Sequence, residues 1–137
     1  MAVTLSYPKP RSTQTKLATV AYTDTTSKEL FVLPKYAVIV GIYVIGSAAS
    51  GAVTSAVLDV GTTLATPVEY MTNYDVKTAA TGEGYNPAGA AAVGSAMATP
   101  LTSDKLVYGK YTGVGGSDSG SWTIKFEYFV TGPGETL

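Results

Sequence analysis

Apolar and polar side chains alternate along several short stretches of this chain. The clearest alternation lies near the C-terminus, where the apolar positions are Trp122, Ile124, Phe126, Tyr128 and Val130, with Thr, Lys and Glu between the first four. Every second residue of a β-strand points to the same face of its sheet. The stretch therefore predicts a half-buried antiparallel strand whose apolar face anchors the core, and the Gly-Pro-Gly that follows ends it.

Other short stretches are rich in β-branched or aromatic residues and are separated by turn residues. They predict strands over residues 15–22, 28–33, 36–45, 53–60, 68–71, 74–78 and 105–111. Residues 36–45 are apolar on both faces, which predicts a strand in the middle of the core. Residues 113–121 are rich in Gly and Ser and predict a flexible hairpin connection to the last strand.

The number of strands and the lack of a long helical pattern decide the fold class. About eight short strands with turns between them are typical of antiparallel sandwiches and barrels. Residues 81–98, rich in Gly and Ala, predict a loop with at most a turn or two of helix near Asn86-Pro87. We expect an all-β protein: an antiparallel, jelly-roll-like β-sandwich over residues 15–133, an extended N-terminal arm over residues 1–14 and a C-terminal tail over residues 134–137.

The N-terminal arm contains two prolines, which favour extended backbone over helix. Two interpretations stay open: the arm is a frayed terminus, or it becomes ordered on a neighbouring subunit. In the second case its apolar side chains have something to bury. The candidate partner-binding residues are Leu5, Tyr7, Pro8, Pro10 and Arg11 in the arm and Tyr85 in the 81–98 loop.

The ten tyrosines can fill the core or form a contact surface. Those in predicted strands are expected to fill the rim of the core: Tyr36, Tyr43, Tyr108 and Tyr128. Those near the long loop are open to a contact role: Tyr70, Tyr74 and Tyr85.

The 137 residues are 45% hydrophobic and 14% charged, with a formal net charge of −1. One folded domain without a highly charged tail is expected. Nine basic and ten acidic residues make no basic stripe for phosphates, so we expect no nucleic-acid partner. The most apolar stretch, residues 36–46, is shorter than the roughly 18 to 20 residues that span a bilayer, and the N-terminus has no apolar signal core. We therefore expect no membrane partner, and synthesis in the cytoplasm without export through a signal peptide.

The chain has no histidine and no cysteine. The usual general base, thiol nucleophiles and the commonest transition-metal ligands are therefore missing. A Ser103–Lys105 pair and a pair of carboxylates for glycoside hydrolysis remain chemically possible, but no spacing singles one out. The acidic candidates are Glu69, Asp75, Glu83 and Glu127. We expect no enzyme, no cofactor and no metal site.

Two short motifs favour a structural role over ligand binding. Asp59-Val60-Gly61 offers one carboxylate, whereas calcium takes about six to eight oxygens, so a turn is expected. Residues 113–116 are glycine-rich but lack the Lys-Ser or Lys-Thr and the helix of a phosphate-binding loop. What remains is a surface of low charge and small side chains, which loses little solvation and side-chain entropy when neighbours bury it.

Three segments together resemble small virion proteins of tailed bacteriophages, especially head decoration or cement proteins. They are LFVLPKYAVIVGIYVIGSAASGAVTSAVLDVGTT, MATPLTSDKLVYGKYTG and SWTIKFEYFV. In that family a Leu-Pro run enters a central strand, a strand ending in Asp-x-Gly follows, and an aromatic alternating strand closes the domain. Leu33-Pro34 and Asp59-Val60-Gly61 stand at the corresponding places here.

The resemblance implies a jelly-roll-like sandwich on the outside of an assembled capsid, present in the virion after assembly in the host bacterial cytoplasm. It implies bridging of major capsid protein subunits by a homotrimer or homodimer, which stabilises the shell against internal DNA pressure. No catalytic residue is carried over. Two alternatives stay open: a tail, fibre or head-fibre component whose loops bind a host-surface glycan, and a glycan-active enzyme that uses the carboxylates named above.

Overall fold

The computed structural model describes residues 12–46, 54–77, 84–85, 99–116 and 118–132, and these residues form eight β-strands. The strands are β1 (Gln14–Ala21), β2 (Lys28–Leu33), β3 (Ala37–Gly46), β4 (Ser55–Gly61), β5 (Met71–Asp75), β6 (Gly84–Tyr85), β7 (Lys105–Val114) and β8 (Ser121–Val130). Within this described part of the chain, no helix is long and apolar enough to cross a membrane.

The strands form two antiparallel sheets of four strands each. The first sheet has the order β1-β8-β3-β6, and the second sheet has the order β2-β7-β4-β5. Eight antiparallel strands divided in this way between two facing sheets make a jelly roll. The predicted all-β, antiparallel, jelly-roll-like sandwich is confirmed.

The core lies between the two sheets and is centred on β8. Trp122, Ile124 and Phe126 are fully buried and Tyr128 is nearly so, while the residues between them point outward and are half-buried. The predicted alternation therefore holds over most of the strand. Val130, the last residue of β8, is 36% exposed instead of buried. The second sheet and the loop before β5 complete the core with Leu33, Leu58, Val60, Tyr70, Met71, Val107 and Tyr111.

Aromatic side chains join the two sheets at the centre of this core. The ring of Phe126 meets Phe31 of β2 edge-on, with ring centroids 5.1 Å apart, and meets Tyr70 in the same way at 5.3 Å. Trp122 stacks on Tyr111 of β7, with centroids 5.5 Å apart and planes 10° apart. Such pairs add stabilisation beyond the burial of apolar area, so they hold the sheets in one relative position.

The Gly- and Ser-rich connection from residue 113 to residue 121 is not the hairpin that the sequence predicts. It leads from β7 in the second sheet to β8 in the first sheet. β7 pairs with β2 and β4, whereas β8 pairs with β1 and β3. Gly115, Gly116 and Gly120 have positive φ angles, which lets the backbone turn from one sheet to the other. Turn residues between two alternating stretches indicate a reversal, but they do not say whether the two strands pair.

In place of the two short strands predicted over residues 68–71 and 74–78, the structure has one strand, β5, and residues 68–70 lie in the loop before it. Pairing with β4 continues from Met71 opposite Val60 to Asp75 opposite Val57, through an irregularity in the register. Asn73 lies there with φ of 53°, and its backbone N–H donates to Oδ1 of Asp59 at 2.8 Å. The polar residues that interrupt the apolar pattern are thus the bulge of a continuous strand.

Strand β3 is an interior strand of the first sheet, and its outer face is buried only in part. Ile39, Ile42 and Val44 point into the core, whereas Val40 and Ile45 are each 45% exposed. The prediction of a strand in the middle of the core therefore holds for the inner face, whereas on the outer face Val38 is buried and Ile45 is not. An apolar outer face of a sheet is typical of a surface that a partner covers.

Strand β6 lies inside the segment that was predicted to be a loop. Gly84 and Tyr85 pair with Tyr43 and Ile42 of β3 and form the edge of the first sheet. A two-residue strand has too few positions to show alternation, so the pattern could not reveal it. The helical turn predicted at Asn86-Pro87 lies outside the described residues.

Replacing Phe126 by Ala tests whether β8 anchors the sandwich. The variant loses two aromatic contacts and leaves a cavity, so the free energy of unfolding should fall by about 3–5 kcal/mol in chemical denaturation. The matched control is Thr123→Ala on the outward face of the same strand, which should change it by no more than about 0.5 kcal/mol. Equal losses in the two variants would contradict the assignment of the core to one face of β8.

Candidate interaction surface

A cleft opens beside the C-terminal end of β4. Its volume is about 270 Å³, and it is lined by Thr62, Glu69, Tyr70, Thr99, Pro100, Leu101, Thr102 and Lys105. Glu69 is the only carboxylate among these residues, and Lys105 is the only cation. Ser103 is not part of the lining, so the cleft does not bring together the Ser103–Lys105 pair considered above.

The carboxylate of Glu69 is held by the loop that follows β4. Its Oε2 accepts hydrogen bonds from the backbone N–H groups of Thr62 at 2.8 Å and Thr63 at 3.4 Å, and its Oε1 accepts one from the hydroxyl of Thr63. A Cβ at Gly61 would lie 2.6 Å from the backbone nitrogen of Val68, so only glycine fits where the loop closes. Glu69 therefore stabilises a turn.

Two opposing effects act on the pKa of Glu69. Partial burial raises the pKa, and the hydrogen bonds from Thr63 and from the backbone lower it by more, so the net shift is downward. Burial also raises the pKa of the neighbouring Tyr70 to about 12, with a further contribution from the charge of Glu69. A lowered pKa keeps Glu69 ionised at neutral pH, where it accepts hydrogen bonds and does not serve as a proton donor.

The other acidic candidates do not join Glu69. Asp75 lies on the edge strand β5 and accepts a hydrogen bond from the backbone N–H of Lys77 at 2.8 Å. Glu127 lies on the outward face of β8 in the other sheet. Glu83 lies outside the described residues. The described part of the chain therefore shows no carboxylate pair across a cleft, which both forms of glycoside hydrolysis require.

In the described residues, the side chains that could bind a metal ion are dispersed. No group of three or more acidic, histidine or cysteine side chains is close enough there to hold a metal ion. Asp59, the carboxylate of the Asp-x-Gly motif, accepts the hydrogen bond from Asn73 that orders the bulge in β5. Its role is structural, but Asp59, Val60 and Gly61 are the end of strand β4 and not the turn that the sequence predicts.

Each sheet has an outer face that points away from the core, and the outer face of the first sheet is the more apolar one. Two rows of residues cross this face, and each row has one residue from each of β1, β8 and β3. The lysine row consists of Leu17, Lys125 and Tyr43, and the glutamate row consists of Thr15, Glu127 and Gly41. Leu17 is 60% exposed, and Ile45 on the next row is 45% exposed. The face therefore offers large apolar side chains on both sides of its centre.

The centre of this face is a compact group of one aromatic and two charged side chains. Lys125 Nζ lies 3.0 Å from Glu127 Oε1 and 5.2 Å from the centroid of the Tyr43 ring. The hydroxyl of Tyr43 donates to Glu127 Oε2 at 3.5 Å, and its ring lies over Gly41. About a third or less of the Lys125 and Glu127 side chains is exposed. The two charges cancel, so the centre has no net charge to desolvate against a partner.

The outer face of the second sheet is more highly charged. Glu29 of β2 is opposite Tyr108 of β7, and Asp59 of β4 is opposite Lys110 of β7. Val32 of β2 is 48% exposed and lies on the same strand as Glu29. Of the two outer faces, that of the first sheet is therefore less costly to remove from water.

Strand β1, which follows the N-terminal arm, forms an edge of the first sheet. The backbone N–H of Ala21 donates to Asp24 Oδ2 at 2.8 Å, and Lys28 Nζ donates to the carbonyl of Thr19 at 2.7 Å. Lys28 and Asp24 also form an ion pair of 3.3 Å. These side chains form hydrogen bonds with backbone groups of β1 that could otherwise pair with a strand from another molecule. They therefore protect this end of the edge from strand addition.

The structure tests few of the residues that the sequence proposes for partner binding. Leu5, Tyr7, Pro8, Pro10 and Arg11 lie outside the described residues. Tyr85 is placed only by its backbone, in β6. The contact role expected for Tyr70 is wrong, because Tyr70 is 2% exposed and packs on Phe126. Tyr74 is half-buried against the core. The sequence interpretation missed the outer face of the first sheet, although the apolar residues on both faces of β3 were a signal for it.

Comparisons with known proteins identify the fold. No protein-family profile and no curated protein matches the chain. A chain in a solved structure described as the acidic stable capsid structure of Helicobacter pylori bacteriophage KHP30 superposes with a TM-score of 0.58 and 16% identity, over 88% of this chain and 90% of the matched chain. A chain of the cyanophage Pam1 capsid asymmetric unit superposes with a TM-score of 0.64 and 14% identity, over 96% of this chain and 94% of the matched chain. At these identities the likeness establishes the fold alone.

The lowered pKa of Glu69 predicts a specific dependence of stability on pH. The stabilisation from this group is complete above the ordinary pKa of 4.5 and is lost as the pH falls through the lower folded-state value. The loss of thermal stability between about pH 6 and about pH 3 should therefore be smaller in Glu69→Gln than in the wild type. Thermal unfolding followed by circular dichroism measures the difference.

The control for this measurement is Glu29→Gln, which removes an exposed carboxylate on the outer face of the second sheet. It should retain the wild-type dependence on pH more closely than Glu69→Gln does. If both variants and the wild type lose the same stability in acid, Glu69 does not hold the loop by its charge.

Proposed function

We propose that this protein is a structural component of a phage virion, which binds the outside of the assembled capsid and stabilises it by bridging major capsid protein subunits. The observation behind the proposal is the match of nearly the whole chain to chains in two phage capsid structures, with nearly equal coverage of both partners. The matched chains are thus about as long as this one. A single jelly-roll sandwich accounts for almost the full length in each case.

The chemistry of the described residues supports the same proposal. Of the carboxylates considered for catalysis, Glu69 and Asp75 accept hydrogen bonds from backbone N–H groups of the second sheet and its loops, and Glu127 lies on the other sheet. No described cluster could hold a metal. By contrast, the first sheet presents an apolar outer face with a neutral centre. These features suit a protein that acts by burying its surface against others.

The mechanism that follows is stabilisation by selective binding. A protein that binds the assembled shell, but not dispersed subunits, shifts the assembly equilibrium toward the shell by its binding free energy. Many copies on one particle multiply a modest contribution from each site. No reaction and no cofactor are needed, and neither a nucleic acid nor a membrane takes part.

The proposal places the protein in the virion, on the capsid exterior, after assembly in the cytoplasm of the host bacterium. Its partners are the major capsid protein and further copies of itself, as a homotrimer or homodimer. The segment proposed to reach a neighbouring subunit precedes β1 in the chain, and β1 is an edge strand of the first sheet. Leu5, Tyr7, Pro8, Pro10, Arg11 and, in β6, Tyr85 are the residues proposed to contact these partners.

Deletion of residues 2–12 tests the role of the arm. The arm precedes the first strand, so its loss should leave thermal unfolding of the domain nearly unchanged and weaken binding to heads by about tenfold or more, measured by co-sedimentation. Deletion of residues 134–137 is the control and should retain binding. Wild-type binding by the arm deletion would remove the arm from the proposal.

A reconstruction of the particle by electron microscopy tests the proposal as a whole. In the reconstruction, many copies should cover the head. In a separate heating experiment, heads that lack the protein should release DNA at a lower temperature than heads to which the purified chain is added back. A few copies confined to the tail in the reconstruction would instead support the alternative of a tail or fibre component that binds a host-surface glycan. Copies on the inside of the shell would also contradict the proposal.

A further inference from the structure

The outer face of the first sheet has a charge pattern that is complementary to itself. The strands β1, β8 and β3 contribute only two charged side chains to this face, Lys125 and Glu127. They lie two residues apart on the central strand β8, so one is the neighbour of the other along the strand. A second copy of the same face can therefore offer an opposite charge to each of them.

We propose that two copies of this chain associate by stacking their first sheets face to face. The two-fold axis runs between the sheets, perpendicular to the strands, and passes between Lys125 and Glu127. This axis places Lys125 of each copy over Glu127 of the other copy. The interface is isologous, because the same face serves both copies and each ion pair occurs twice.

The charges select this axis over the obvious alternative. A two-fold axis parallel to β8 would also bring the two faces together, but it would place Lys125 over Lys125 and Glu127 over Glu127 of the second copy. Like charges facing each other at close range oppose association. The perpendicular axis converts the same two residues into two attractive pairs.

The sizes of the neighbouring side chains agree with the perpendicular axis. It places the lysine row of each copy, with Leu17 and Tyr43, over the glutamate row of the other, with Thr15 and Gly41. On β1 the larger Leu17 thus faces the smaller Thr15, which permits close packing there, whereas Gly41 is already covered by the Tyr43 ring of its own chain. The stack also covers Leu17 and Ile45, which are 60% and 45% exposed in the single chain.

The size of the face predicts a weak association in dilute solution. Three strands about 4.8 Å apart and about nine residues long cover a face of about 400 Å². Stable complexes bury about 800 Å² on each partner. The dimer should therefore form at high local concentration, as where many copies are held on one particle.

This inference rests on the proposed function, because it specifies how copies of the chain associate with each other. Of the homotrimer and homodimer proposed there, a two-fold axis gives the homodimer. The test uses the purified full-length chain without capsids, so the surface and the capsid-binding proposal can fail separately. The readout is the fraction of dimer in sedimentation velocity, over protein concentrations up to about 1 mM, which reaches the range of weak complexes. The wild type should show reversible dimerisation that rises with concentration.

Charge reversal gives the decisive comparison. Lys125→Glu alone and Glu127→Lys alone place like charges across the axis, so each variant should dimerise at least about tenfold more weakly than the wild type. An equimolar mixture of the two variants places opposite charges across the axis at both positions, so the mixture should recover association. Recovery on mixing separates this contact from the ion pair within one chain, which the mixture leaves broken.

The double variant Lys125→Glu with Glu127→Lys restores both the pair within the chain and the pairs between copies, and should dimerise like the wild type. Leu17→Ser tests the apolar part of the face independently and should weaken dimerisation. Its matched control is Val32→Ser, an exposed residue on the edge strand β2 of the opposite sheet, which should have no effect. Thermal unfolding checks that each variant is folded.

A wild type that remains monomeric up to the highest concentration would overturn the proposal. So would a mixture of the two single variants that associates no better than either alone, or an equal effect of Leu17→Ser and Val32→Ser. A trimer that survives the charge reversals would show that self-association uses a different surface. If the single reversals fail to fold, the comparison of Leu17→Ser with Val32→Ser decides the question.

Discussion

The packing of β8 against the second sheet is the interaction on which the rest of the structure depends. Trp122, Ile124 and Phe126 are fully buried, and Trp122 and Phe126 make aromatic contacts with Tyr111 and Phe31 across the sandwich. Because β8 lies between β1 and β3, it also holds the first sheet together. In a chain without disulfides, this interlayer contact is a main source of cohesion between the two sheets.

Because each sheet buries one face in the core, its opposite face is available for contacts with a partner. On the first sheet that face combines exposed Leu17 and Ile45 with a self-neutralising pair, Lys125 and Glu127. On the second sheet the corresponding face carries more charge. Edge strand β1 is protected at one end by Asp24 and Lys28. The two outer faces of the molecule therefore differ in how readily a partner could cover them.

The sequence has no histidine and no cysteine, and two of its described carboxylates have structural roles. Glu69 is held by the backbone of its own loop, and its pKa is lowered, so it is suited to ordering a turn. Asp59 does the same for the bulge in β5. Polar groups in this fold complete the turns that a jelly roll requires. The proposed contribution to a capsid therefore depends on shape, apolar area and repetition.

The sequence alone determined most of the strands and which face of the last strand is buried, because alternation with a period of two is a local property of the backbone, but it did not reveal the two-residue strand β6. It also limited the chemistry, through the lack of histidine and cysteine. Which strands pair was decided only by the tertiary structure: β7 and β8 follow one another along the chain yet lie in different sheets, and β5 continues through Asn73 where the apolar pattern breaks. The same holds for the surface. The apolar residues on both faces of β3 could not reveal that Ile45 is exposed, or that Leu17, Lys125 and Tyr43 share a row, since neighbours in a sheet are brought together by contacts between residues that are distant in sequence.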